Sequence, residues 1–247
     1  MKLPFPEKIN VRLYQSYRRL LWHSPLIHKY YLRFRGFPLD MEDFDLVVQG
    51  FARSGNTFVS EAIRACMGDQ LRVFSHLHVP VVIVEAMKAG KPVCFLIRNP
   101  EDAVASLALH SDWSVERCLD HYIKYHEMIE RYADRMAIFE FSQFTADINC
   151  LFQGLNQLFG TNLPLTSHEE VQTSVFNRIE NNQLSKLGKI DESTVNRPSN
   201  LRAKAKSKLI EDIRDHPKKL DCARSLFESF CNHSVRSKQA TQSQSAV

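Results

Sequence analysis

One stretch of this sequence combines the residue types that proteins use to hold phosphate. Residues 50–57 read Gly-Phe-Ala-Arg-Ser-Gly-Asn-Thr, so one guanidinium (Arg53) and two hydroxyls (Ser54 and Thr57) lie close together. A short apolar run over residues 44–48 precedes the stretch, and apolar residues at helical spacing follow it. A loop between a strand and a helix N-terminus presents backbone N–H groups and the positive end of the helix dipole to one point. The stretch is therefore predicted to bind an anionic group.

The loop is close in spacing to the nucleoside-triphosphate pattern G-x-x-x-x-G-K-[ST], but it differs at one position. Asn56 stands where that pattern has the lysine that reaches the β- and γ-phosphates. This difference weakens the hypothesis of an enzyme that uses ATP or GTP. From this motif alone, an ordinary strand–turn–helix corner whose glycines serve only the turn stays open as the alternative.

Two further polar segments follow predicted strands. Residues 75–78 (Ser-His-Leu-His) come after Val73, and residues 98–100 (Arg-Asn-Pro) come after the continuous apolar run 92–97. Ligands of parallel α/β sheets bind at the carboxyl ends of the strands. We therefore expect these two segments and the loop after the first strand to lie at one edge of the sheet.

The hydrophobic pattern predicts the elements that must position these segments. Predicted strands cover residues 44–48, 71–76, 92–97 and 136–141. A first helix is predicted to begin at Thr57. Further helices are predicted over residues 81–89, about 101–135, 148–159 and stretches of 201–231. Residues 161–200 are polar and are predicted to form a loop. This alternation predicts an α/β fold, three-layer α/β/α, with a mostly parallel central sheet and a P-loop-like phosphate-binding loop.

The composition is typical of a soluble globular protein. The chain has 247 residues, of which 44% are hydrophobic and 24% charged, and its net charge of +4 suits an anionic ligand without indicating nucleic acid. The six cysteines are dispersed without a C-x-x-C pair, which indicates neither a zinc site nor a disulfide framework and favours the cytoplasm. No apolar run approaches the roughly 20 residues of a membrane span, and no signal-peptide core is present.

The sequence divides into three parts. Residues 1–40 form a basic, aromatic-rich helical segment that we expect to pack on the domain, and peripheral contact with an anionic membrane surface stays open as the alternative. Residues 41–231 form the α/β domain. Residues 232–247 are polar and low in complexity, which predicts disorder. The sequence also leaves a homo-oligomer open.

Together, these segments resemble the PAPS-dependent sulfotransferase family, whose members transfer a sulfuryl group from 3′-phosphoadenosine 5′-phosphosulfate (PAPS) to a hydroxyl or amine. Family members carry a loop close to P-[KR]-S-G-T-T-[WF], and residues 52–58 here read Ala-Arg-Ser-Gly-Asn-Thr-Phe. They also carry an arginine at a strand end followed eight residues later by a serine, which here are Arg98 and Ser106. In the family, that pair recognises the 3′-phosphate that separates PAPS from ATP. The resemblance covers residues 44 to about 160.

The resemblance implies roles for individual residues. His76 lies in a segment similar to T-H-L-P and is the implied general base, with His78 as a rival, and Phe141 takes the aromatic position near the adenine. The family's C-terminal R-K-G-x-x-G segment is absent, so Arg197 and Ser199 are candidates for the 3′-phosphate, or else simply cap a helix. The implied cofactor-binding residues are Arg53, Ser54, Gly55, Asn56, Thr57, Phe58, Arg98, Ser106, Phe141, Arg197 and Ser199.

Sulfuryl transfer needs in-line positioning, and it needs positive charge where negative charge develops. The implied mechanism makes Arg53 catalytic beside His76, because its guanidinium stabilises the bridging oxygen, and it requires no metal. A carbohydrate, a glycolipid or a small metabolite is the expected acceptor. Two alternatives stay open: an atypical P-loop kinase, and a non-catalytic nucleotide-binding or membrane-surface protein on the same fold. The second stays open because Phe74 stands where many members have a lysine and because the C-terminal segment is absent.

Overall fold

The structure is a computed structural model that describes residue 30 and residues 41–75, 77–111, 113–190 and 200–234. The implied base His76 and the two candidates Arg197 and Ser199 therefore lie outside the described residues. The same holds for nearly all of the basic N-terminal segment and for the end of the predicted tail. In the part of the chain that is described, no helix is long and apolar enough to cross a membrane.

Four strands lie between residues 46 and 140, and each is followed by one or more helices. The strands are β1 (Leu46–Gly50), β2 (Val73–Phe74), β3 (Val93–Ile97) and β4 (Ala137–Glu140). The α-helices are α1 (Asn56–Met67), α2 (Pro80–Lys88), α3 (Pro100–His110), α4 (Val115–Ile129), α5 (Phe141–Ala146), α6 (Ile148–Phe159), α7 (His168–Leu187), α8 (Asn200–Arg214) and α9 (Pro217–Asn232). Short 3-10 turns cover Met41–Asp43, Gly68–Gln70 and Glu130–Arg135.

The four strands form one parallel sheet in the order β2-β1-β3-β4. Every residue of β1 and of β3 is buried, which explains why the sequence of β3 is a continuous apolar run rather than an alternating one. In register, Val48 lies opposite Cys94, and Leu96 lies opposite Phe139. The predicted α/β fold with a parallel central sheet is confirmed.

Helices cover both faces of the sheet and create two hydrophobic cores. On one face, Phe95 and Ile138 pack with α2, α3, α4 and α9. On the other face, Leu96 and Phe139 pack with α1, α5, α6 and α7. Successive residues of a strand point to opposite faces, so each strand contributes to both cores and the molecule has three layers, α/β/α.

A crevice lies between the carboxyl ends of β1 and β3. The helix that follows β1 packs on one face of the sheet, where its Ala62 joins the core around Leu96. The helix that follows β3 packs on the other face, where its Ala103 joins the core around Phe95. Two neighbouring parallel strands whose connections leave to opposite faces form the place where such sheets bind ligands.

One predicted segment was wrong. Residues 161–200 were predicted to be a loop, but α7 occupies residues 168–187. Its buried residues Val171, Val175 and Ile179 follow one another at four-residue spacing and pack in the core beside α1. The surrounding residues are polar, so the apolar stripe is only one residue wide and gives a weak helical signal.

Several predicted boundaries also differ. The strand predicted at 44–48 lies two residues later, at Leu46–Gly50. The strand predicted at 71–76 pairs only over the two residues of β2, and beyond it the Ser75 hydroxyl accepts a hydrogen bond from the Ser60 hydroxyl at 2.7 Å. The strand predicted to end at Phe141 ends one residue earlier, and Phe141 opens α5. The helical region predicted over 101–135 divides into α3 and α4, where Ser114 caps the second helix by accepting the Arg117 N–H.

A histidine lies at the centre of one core. His126 is fully buried among the rings of Phe51, Tyr122 and Phe95, and its Nδ1 lies 2.8 Å from the Tyr122 carbonyl oxygen. Since a carbonyl oxygen only accepts, Nδ1 carries the hydrogen and Nε2 carries the lone pair. Burial lowers the pKa of His126 to about 3. The folded protein therefore holds this ring in its neutral form.

The substitution His126→Phe should flatten the dependence of stability on pH. The folded pKa lies below the unfolded value near 6.5, so the unfolded chain binds the extra proton and stability is lost as the pH falls from about 6.5 towards 3. The slope from this one group is up to about 1.4 kcal/mol per pH unit. Denaturant unfolding of both proteins at pH 7.5, 5.5 and 4.5 measures the difference, and parallel pH profiles would contradict it.

Candidate functional site

The loop between β1 and α1 is closed by its own hydrogen bonds. The Phe51 carbonyl oxygen accepts the Ser54 backbone N–H at 3.2 Å and the side-chain amide of Asn56 at 3.1 Å. Two residues take positive φ angles, Arg53 at 70° and Gly55 at 89°. A non-glycine residue in this region is uncommon, so the hydrogen bonds of the loop hold Arg53 in an unusual conformation.

Asn56 has a structural role at the position where nucleoside-triphosphate loops carry lysine. Only 3% of the residue is exposed, and its amide nitrogen is committed to the loop backbone. Position 56 therefore supplies no positively charged side chain to a ligand of the loop. Its oxygen, Oδ1, is buried without a hydrogen-bond partner in the described part of the chain.

The first turn of α1 leaves donors available beside the loop. Among the described residues, no side chain caps this helix, whereas the Asn99 side chain caps α3 by accepting two backbone N–H groups. The Ser54 hydroxyl next to this turn is fully buried and has no hydrogen-bond partner within the described ranges. Thr57 is half-buried in the same turn. Phe58 is different: its ring packs against Phe144 and Phe176 in the core, so only its backbone N–H can face a ligand.

Hydrogen bonds join the loop to the end of β3 and to α3. The Arg53 Nε donates to the Ser106 hydroxyl at 3.1 Å, and the Arg98 Nη1 donates to the Arg53 carbonyl oxygen at 2.7 Å. Arg53, Arg98 and Ser106 were predicted from segments that lie 45 and 53 residues apart in sequence. The structure brings all three together at the crevice, with Ser106 in contact with Arg53 rather than with Arg98.

Arg98 is held on several sides. Its guanidinium carbon lies 3.9 Å from the centre of the Phe141 ring, a cation–π contact, and its carbonyl oxygen accepts the Tyr122 hydroxyl at 2.8 Å. The Arg98 Nε is buried and lacks a hydrogen-bond partner among the described residues. The Arg98 guanidinium thus covers one face of the Phe141 ring, whereas the resemblance implied that this ring lies near the adenine.

The crevice concentrates positive charge in a partly buried place. Burial, together with the charges of Arg202 and Arg98, lowers the pKa of Arg53 to about 10. Burial also lowers the pKa of Arg98, with Asp102 opposing the shift and Arg202 adding to it. The guanidiniums of Arg53 and Arg98 are therefore less well solvated than in water, and Arg202 repels both.

Two further cations reach this region from α8, and the sequence did not single them out. Lys206 Nζ forms an ion pair with the Asp102 carboxylate in the first turn of α3. Arg202 lies four residues earlier in α8 and is half-buried. The only sequence signal was the four-residue spacing of the two cations, which puts both on one side of a helix.

Two histidines line the edge of the crevice. His78 takes a positive φ of 45°, and its Nδ1 lies 3.1 Å from the carbonyl oxygen of Gly50, at the end of β1. Since the carbonyl oxygen accepts, Nδ1 carries the hydrogen and Nε2 of the neutral ring carries the lone pair. His110 lies at the end of α3, where partial desolvation of its ring and the charges of Arg53 and Arg202 lower its pKa.

This arrangement can bind anions, and the His78 imidazole lies beside it. No family model matches the sequence, and no curated protein matches it. The residues and their geometry therefore carry the functional interpretation.

Gly55→Ala should destabilise the loop more than Gly90→Ala. Both glycines have positive φ angles, 89° and 67°, so both substitutions carry the same backbone cost. A Cβ at position 55 would lie 2.8 Å from Phe144 Cζ, whereas a Cβ at position 90 would have no described atom within 4 Å. The difference in unfolding free energy should be about 1–3 kcal/mol, the usual cost of overpacking. Denaturant unfolding measures it, and equal losses would show that the rings move aside freely.

Proposed function

We propose that this chain is a PAPS-dependent sulfotransferase. The observation that carries the proposal is the pair of hydrogen bonds that join Arg53 to Ser106 and Arg98 to Arg53. The two segments were identified separately, one as a phosphate loop and the other as a 3′-phosphate motif, and both lie at the same crevice of a parallel sheet. The sheet topology brings the two segments together, and the residue types that meet there are those that the resemblance assigns to the two phosphates.

The loop and α1 are suited to the 5′-phosphosulfate. The backbone N–H groups of the first helical turn, the buried Ser54 hydroxyl and the Thr57 hydroxyl offer donors in one place. Arg53 is suited to the bridging oxygen, on which negative charge develops as the nucleotide leaves. Arg98 and Ser106 are suited to the 3′-phosphate. Asn56 adds no cation for a γ-phosphate, which disfavours the kinase alternative.

The reaction exchanges one sulfur–oxygen bond for another. The acceptor hydroxyl oxygen forms a bond to sulfur, and the bond between sulfur and the bridging oxygen breaks. The electron pair of that bond leaves with adenosine 3′,5′-bisphosphate, where Arg53 stabilises it. A base takes the hydroxyl proton, and His78 suits this step because its Nε2 carries the lone pair. His76, the base implied by the resemblance, stays a rival because it lies outside the described residues.

Adenosine 3′,5′-bisphosphate should bind more tightly than ATP. Isothermal titration of the purified chain with both nucleotides tests the cofactor class. Arg98→Ala should lower affinity for the bisphosphate by about 10- to 100-fold, because a charge-assisted contact is lost. Arg135→Ala removes an exposed arginine at the amino end of β4 and serves as the control. Failure of the unmodified protein to bind the bisphosphate would refute the proposed function.

His78→Asn should lower turnover by about 10²- to 10⁴-fold while cofactor affinity stays unchanged. Asparagine tolerates a positive φ better than most residues, so the backbone at this position can be kept. The assay measures release of adenosine 3′,5′-bisphosphate from PAPS in the presence of a panel of carbohydrate, lipid-linked and small hydroxyl acceptors. His76→Asn is assayed in parallel. Loss of turnover only in the His76 variant would assign the base to His76 instead.

A further inference from the structure

An ion pair joins helix α8 to α3, the helix that borders the crevice. Lys206 meets the Asp102 carboxylate of α3, and the Lys206 side chain is only 18% exposed. Asp102 and Ser106 are four residues apart in α3, so they lie on the same side of that helix. Ser106 in turn accepts the hydrogen bond from Arg53. The side of α3 that faces α8 is therefore the side that faces the loop.

Arg202 lies on the same side of α8 as Lys206. The two cations are four residues apart and both are half-buried, whereas Lys204 and Lys208, at the same spacing in the same helix, are exposed. The charge of Arg202 also contributes to lowering the pKa of Arg53 and the pKa of Arg98. Arg202 is thus placed among the arginines of the crevice.

We propose that α8 completes a site for a second anionic group, in which Arg202 and Lys206 bind the 3′-phosphate together with Arg98, and that Asp102 positions Lys206. This inference rests on the proposed function and assigns residues to it that the sequence pattern did not. It also lets α8 take the place of the family's absent C-terminal segment in binding the 3′-phosphate, for which Arg197 and Ser199 were the candidates in the sequence.

The charges of the crevice favour a ligand with two anionic groups. Five charged side chains meet here. Four are positive and one, that of Asp102, is negative; the positive ones are Arg53, Arg98, Arg202 and Lys206. A nucleoside 5′-monophosphate neutralises the charge beside the loop. A bisphosphate brings a second anion to the cations of α3 and α8, where burial strengthens the interaction.

Asp102 can position Lys206 without neutralising the positive charge of the site. Its side chain is 47% exposed, so part of the carboxylate is solvated and its charge is screened. An ion pair of this kind fixes the direction of the flexible Lys206 side chain and reduces the positive potential of the site only a little. Asp102 is therefore a positioning residue for Lys206, and it is not itself expected to contact an anion.

The test compares two matched double variants of α8. Arg202→Gln/Lys206→Gln removes two charges from the side that faces α3, and Lys204→Gln/Lys208→Gln removes two charges at the same spacing from the exposed side. Isothermal titration with adenosine 3′,5′-bisphosphate and with adenosine 5′-monophosphate measures the selectivity of each protein. Thermal unfolding without nucleotide checks that each variant is folded, and the single Arg202→Gln gives the same comparison if the double variant is not.

Arg202→Gln/Lys206→Gln should lose at least about tenfold in affinity for the bisphosphate, while its affinity for the monophosphate changes less than about threefold. The Lys204 and Lys208 control should match the unmodified protein with both nucleotides. Equal losses for both nucleotides would make α8 a structural support and overturn the inference, as would unchanged selectivity. If the unmodified protein binds neither nucleotide, the proposed function itself fails and the inference fails with it.

Discussion

The partly buried hydrogen bond between Arg98 and the Arg53 carbonyl oxygen is the interaction on which the site depends. Two guanidiniums of like charge are brought to one crevice, which costs free energy both in desolvation and in repulsion. The fold offsets part of that cost by supplying a carbonyl oxygen, a hydroxyl from Ser106 and the face of Phe141. An anion would offset the remainder, so the arrangement is more favourable with a ligand than without one.

The topology of the sheet explains how distant residues reach this contact. β1 and β3 are neighbours, but the helices that follow them pack on opposite faces. The two loops therefore diverge at the carboxyl edge and leave a gap between them. The first residues after each strand, among them Arg53 and Arg98, supply donors and charges at its rim.

Much of the scaffold could be predicted because its signals are local. The continuous apolar run of β3 indicates a strand buried on both faces, and Gly160 ends α6 where the sequence predicted it. The loop after β1 could be recognised because glycine, arginine and hydroxyl residues occur together. In each case a few neighbouring residues are sufficient, since the physical cause acts within one strand or one turn.

The rest depends on contacts between distant segments. α7 buries only one residue per turn against α1, and its polar remainder hides the helix in the sequence. Arg202 and Lys206 look like solvated charges on a basic helix until α8 is placed against α3. Their position follows from the ion pair with Asp102, and no property of residues 200–214 alone distinguishes the inner cations from the outer ones.

The closed loop around Asn56 has an entropic consequence. Ordering a flexible segment costs roughly 1–2 kcal/mol for each residue that is fixed, and a protein that orders its loop only on binding loses this amount from its affinity. Here the asparagine amide and the Phe51 carbonyl oxygen hold the turn before any ligand arrives. At the position where nucleoside-triphosphate loops carry a lysine, this chain has an amide that keeps the loop rigid, so the loop is preorganised.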